Sequence, residues 1–187
     1  MGKFVSLGPL VAAVTLAAGC GNSGLGNAGI ENTVDTVLVG ALVGTPISVP
    51  SAYGINPGVA GPIRTDQSSQ FDFAYNILSD GRRVLLPRAA LGLVTSSAEP
   101  GLQPSEDAFD EIDRAPLNGY LTLDTIEVSV GQRYVVRSRV ACTSIGVPLY
   151  GKIEILAFDD TDRRLTFRAL ANTNCGFRSL QPGLPED

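Results

Sequence analysis

Residues 152–171 read KIEILAFDDTDRRLTFRALA, and this stretch decides the fold class. Its two halves are rich in apolar residues and flank Asp159-Asp160-Thr161-Asp162, a run of turn formers. In the second half Leu165, Phe167, Ala169 and Ala171 recur at period two, with Thr166 and Arg168 between them. A helix would place its apolar residues three and four apart. Alternation after a tight turn predicts an antiparallel β-hairpin.

The same grammar runs upstream. Phe71 to Ile77 alternates, Ser79-Asp80-Gly81 turns the chain, and residues 82–87 return. Residues 121–130 put Ile126, Val128 and Val130 on one face. Gly131-Gln132 then turns, and residues 133–142 put Tyr134, Val136, Val140 and Cys142 inward. TVDTVLVGALV at 33–43 reads as a first, well-buried strand, and the glycines and prolines of 51–70 as a long loop. One helix is predicted over 106–115. Ser105 would be its N-cap, acids fill its first turn, Ala108, Phe109, Ile112 and Ala115 form its apolar stripe, and Pro116 ends it. These signals predict an all-β chain: an antiparallel β-sandwich or small barrel of about seven or eight strands with one short helix. The domain runs over 33–180, and 181–187 form a loose tail.

Composition narrows the chemistry. The 187 residues include no histidine, which excludes Ser-His-Asp and Cys-His machinery and the HExxH zinc site. Apolar residues make up 44%, too many for a disordered chain. The net charge of −5 provides no basic excess, so no nucleic-acid partner is expected.

The N-terminus points to export. Lys3 is the only charge before Glu31, residues 4–19 are apolar or small, and the stretch ends Leu16-Ala17-Ala18-Gly19-Cys20. A positive start, a short apolar run and small residues describe a secretory signal, too short to span a bilayer. Small residues followed by Cys resemble the lipobox of bacterial lipoproteins, although Ala17 stands where that family prefers Leu. The resemblance implies a signal peptide over 1–19 and a lipid on Cys20, hence a bacterial envelope protein on the periplasmic or extracellular face. Residues 20–32, rich in Gly and Asn, would be the tether. The domain that follows is similar to β-rich envelope lipoproteins, a likeness that implies no activity.

Cys142 and Cys175 then remain as an even pair in an oxidising compartment and read as a disulfide. The other reading is two separate buried thiols. No cofactor is expected.

Each candidate site has a functional and a structural reading. Arg133, Arg137 and Arg139 fall on one face of a predicted strand, where they could clamp a carboxylate or phosphate or pair with Glu127 and Glu154. Asp159, Asp160 and Asp162 could hold calcium or form a turn. Asp110 with Glu111, or Asp72 with Glu154, could serve as a carboxylate pair, and Lys152 is the one base available for Ser-Lys chemistry. An exposed Phe177 beside Arg178 would suit an interface.

The leading expectation is a lipid-anchored, non-catalytic envelope module with a protein partner at the membrane surface. The alternatives are a periplasmic binder of a small or extended ligand, and a His-independent carboxylate or metal hydrolase.

Overall fold

The computed structural model describes residues 1–2, 28–94 and 98–186. Lys3, the apolar stretch and Cys20 lie outside the described residues. Ten strands are found among those described: β1 Val34–Gly40, β2 Ala52–Asn56, β3 Val59–Ile63, β4 Phe73–Ile77, β5 Arg83–Pro87, β6 Gly101–Ser105, β7 Ile126–Glu127, β8 Arg133–Arg137, β9 Tyr150–Asp159 and β10 Arg164–Asn172. They build two antiparallel five-stranded sheets, ordered β1-β10-β9-β8-β6 and β3-β2-β4-β5-β7. The chain is a β-sandwich.

The β4–β5 and β9–β10 hairpins form as the alternation predicts. Leu165, Phe167 and Ala169 point into the core between the sheets. At its centre Phe167 meets Tyr53 edge-on, with ring centroids 5.5 Å apart, and lies 6.0 Å from Phe73. Buried aromatic pairs of this kind add about 0.5–1.5 kcal/mol beyond the area they bury.

Several expectations are corrected. Residues 51–70 are not a loop, because 52–63 form the β2–β3 hairpin around Pro57-Gly58. Gly58, at φ +79°, supplies the left-handed turn residue that follows a proline. Gly54 has no room for a side chain, since a Cβ there would stand 2.5 Å from Ile63 Cδ1 and 2.9 Å from the Gln70 carbonyl. Pro62 is tolerated because β3 is an edge strand.

The predicted hairpin between 121–130 and 133–142 does not pair. Strand β7 joins β5 in one sheet, whereas β8 lies in the other, so Gly131 turns a corner between sheets. Strand β1 is covered on one face only, with Val37 and Val39 buried and Val34 and Leu38 exposed, because nothing among the described residues packs on the outer face of the sheet there.

The predicted helix is reduced to a 3-10 turn at Phe109–Glu111. Ser105, its expected cap, belongs to β6. Ten residues make a marginal helix on their own. Here burial of Phe109, Ile112 and Ala115 on the outer face of the first sheet sets the conformation, against Val135, Tyr150, Leu170 and Leu180. Lys152, 1% exposed, reaches into this layer, donates from Nζ to the Ile112 carbonyl at 3.0 Å and sits 4.7 Å from the Phe109 ring centre. Burial draws its ammonium below the usual lysine range, against the opposing pull of Asp110 and Asp113.

Both ends of the β-domain are held more firmly than expected. Asn174 Oδ1 accepts the backbone N–H groups of Gly29 and Ile30, each at 3.0 Å. Asn32 and Gly183 exchange two backbone hydrogen bonds, which fixes the tail beyond 180.

Candidate functional site

The geometry of interest lies where β8 ends. Arg137 is the last residue of that strand and pairs with Tyr150 on β9 and Gly101 on β6. Segment 120–122 lies directly against Gly101. A Cβ there would stand 2.7 Å from the Leu121 carbonyl and 2.9 Å from Tyr120 Cβ. This bare backbone lets Leu121 exchange two hydrogen bonds with Leu102, at 2.9 and 3.1 Å. The approach brings Tyr120 over the Arg137 guanidinium, 4.7 Å from carbon to ring centre. Tyr120 is fixed in turn by donation to the Pro116 carbonyl at 2.8 Å. Burial, reinforced by Tyr150, pushes its hydroxyl above the usual phenol range, so the ring stays neutral.

A recess of about 450 Å³ opens here, lined by Ala89, Val94, Glu99, Tyr120, Thr122, Leu123 and Arg137. Arg137 Nη2 donates to the Glu99 carbonyl at 2.9 Å, and its buried Nε has no acceptor. Among the described residues, ion pairs engage Arg133, Arg139 and Arg168 but not Arg137. Its charge is met by a carbonyl dipole and a ring face and is otherwise open to an incoming anion. Arg178, half-buried, acts electrostatically on Tyr120 and Tyr150 alongside Arg137, so two of the expected anion contacts converge on this aromatic pair.

The other arginines of the expected row part company. Arg133 shares a face with Arg137 but turns to Glu154, 3.9 Å away. Arg139 is not on the strand. Beyond Arg137, Ser138 receives the Leu149 N–H on its Oγ and donates that hydroxyl to the Arg139 carbonyl, which turns the chain. Arg139 is thereby buried beside Asp72, at 3.0 Å, and also donates to Gln70 and Asn56. Asp72 and Glu154 therefore form no pair. Glu154 lies on the far side of the first sheet with Arg168, at 2.5 Å.

Asp110 faces Arg168 at 3.8 Å, and Glu111 folds back toward the Ala108 N–H at 3.4 Å. In the β9–β10 turn Asp160 pairs with Arg83 at 2.6 Å, Asp159 accepts the Asp162 N–H, and Asp162 faces Arg164. Among the described residues no three acids or cysteines gather as a metal site. Phe177 is buried at 7% exposure and so presents no contact patch, a correction of the expectation.

Cys142 and Cys175 are bonded, with Cα atoms 5.7 Å apart, inside the usual range of about 4.4–6.8 Å. The bridge ties the β8–β9 connection to the turn after β10.

Sequence reading reached Arg137 and Arg178 but missed Tyr120, Glu99 and Leu123. These stand in irregular segments, where no period of two or 3.6 marks a face. Gly101 was the one available signal, a glycine inside a strand. No protein-family model, curated protein or solved structure matches the chain.

Proposed function

We propose that the chain is a lipid-anchored, non-catalytic binding protein of the bacterial envelope, and that its working part is the recess around Arg137. The single observation that carries this reading is the guanidinium itself. It is held in place by a carbonyl and a tyrosine face, without a carboxylate partner among the described residues, in a hollow large enough for a small molecule or the end of an extended one. An arginine so positioned suits binding by charge and shape and needs no reacting group beside it.

The test is a comparison of membranes carrying wild-type chain with membranes carrying Arg137→Gln. An anionic species that co-purifies with the wild type and is lost from the folded variant supports the reading. Identical extracts from the two would sink it.

One observation favours the accessory-subunit reading as a second. Leu38 on β1 and Leu156 on β9, on the strands flanking β10, are both exposed and offer an apolar surface to a protein partner.

A further inference from the structure

The composition of the recess limits what can occupy it. Resting on the binding reading above, we infer that the occupant is an anionic amphiphile: a carboxylate or phosphate head held by Arg137, with a short apolar tail lying over Val94 and Leu123.

Three observations converge. Tyr120 covers one face of the guanidinium, and Nε is buried, so an anion must arrive at the outer edge of the group. There it receives charge-assisted hydrogen bonds, with Thr122 in the same lining. Beside this charge the lining, which also holds Glu99, presents two open apolar side chains, Val94 at 59% and Leu123 at 70% exposure. A purely polar anion would leave both in water, whereas an alkyl chain covers them, at about 0.8 kcal/mol per buried methylene, or roughly fourfold in affinity.

The third observation is position. Arg137 pairs with Tyr150, and Tyr150 with Asn172, so the recess stands at the end of the sheet where β1 begins. Strand β8 is three strand spacings from β1, about 14 Å. Eight residue-to-residue steps lead from Cys20 to Ala28, and chain geometry bounds their reach at about 29 Å. With lipid on Cys20, the recess is held within reach of the bilayer, where amphiphiles are concentrated.

The test uses the full chain in phosphatidylcholine nanodiscs, titrated calorimetrically with acetate, hexanoate, octanoate and octanol against empty discs. Octanoate should bind at least about tenfold more tightly than acetate and than octanol. Arg137→Gln should weaken octanoate about tenfold or more. Leu123→Glu, at an exposed site that leaves the fold intact, should weaken it severalfold by placing a like charge at the rim.

Acetate binding as tightly as octanoate, and lost in Arg137→Gln, would overturn the amphiphile and leave an anion-binding protein standing. Octanol matching octanoate would overturn the role of the head. No binding of any probe by chain with an intact thermal transition would overturn both readings. Discs containing phosphatidylglycerol separate the two sources. Competition with octanoate there identifies a bilayer lipid as the natural head, and its absence a free amphiphile.

Discussion

Asp72 and Arg139, 67 positions apart, meet between the two sheets, and one carboxylate oxygen accepts both the backbone N–H and Nη1 of the arginine, each at 3.0 Å. The other oxygen takes the Ile55 N–H at 2.7 Å. Replacing the arginine strands a buried carboxylate. Arg139→Met should therefore cost about 3–5 kcal/mol in urea unfolding. A cost below about 1 kcal/mol would mean that the pair does not hold the sheets together.

The same carboxyl gives stability a pH dependence of defined sign. Burial pushes Asp72 up to about 6, against the downward pull of Arg139, while the unfolded chain keeps the ordinary value of 3.8. The folded state thus holds the proton more tightly. The stabilisation from this group is complete below about pH 4 and is lost as pH rises through 6. Relative to Asp72→Asn, the wild type should gain roughly 2 kcal/mol between pH 7.5 and pH 4.5. A difference independent of pH would refute this.

For the disulfide, the closed loop of 33 residues corresponds to roughly 3–4 kcal/mol. Reduction, or Cys142→Ser with Cys175→Ser, should lower the melting temperature by about 10 °C. Alkylation of the unfolded, unreduced chain should leave both cysteines unmodified. Labelling at either position is the adverse result.

Gly101 is a positioning residue. Gly101→Ala should destabilise by about 1–3 kcal/mol, because the added methyl meets backbone rather than a flexible side-chain end. It should also empty the recess, since Tyr120 is displaced from Arg137. A variant crystal structure with the Tyr120–Arg137 contact unchanged would show that the close approach does not build the site.

The proposed lipid anchor has its own measurement. Intact mass of the membrane-derived chain should correspond to cleavage before Cys20 with lipid attached, and Cys20→Ser should accumulate as uncleaved precursor. A wild-type Cys20 without lipid ends the lipoprotein reading.

What could be read in advance follows the range of the interactions. The 152–171 hairpin is written in adjacent residues, so both its alternation and its turn are visible locally. The β2–β3 hairpin is not, because its fit comes from the missing side chain at Gly54, where a Cβ would meet Ile63 and the Gln70 carbonyl, and a glycine carries no hydrophobic pattern. The stripe of Phe109 and Ile112 was legible as an apolar face, but not its conformation, which the outer face of the sheet imposes. Arginine spacing suggested one row of three. Ser138 ends the strand and sends Arg139 to a partner 67 positions away that no local pattern announces. The recess draws on segments around 89–94, 99, 120–123 and 137, brought together by one close backbone approach.

The clamp at Asn174 gives the domain a route for mechanical force. A pull arriving along the N-terminal segment first meets Gly29 and Ile30, whose backbone N–H groups end on the Asn174 side chain. The next residue is Cys175, covalently joined to Cys142 in the β8–β9 connection. Tension applied there would pass around β1, which would otherwise be peeled from β10 one rung at a time from Val34, and into a covalent bridge at the core. The bridge between Asn32 and Gly183 holds the C-terminal end at the same point of loading. A domain built this way keeps its edge strand seated under a load applied at its N-terminal end.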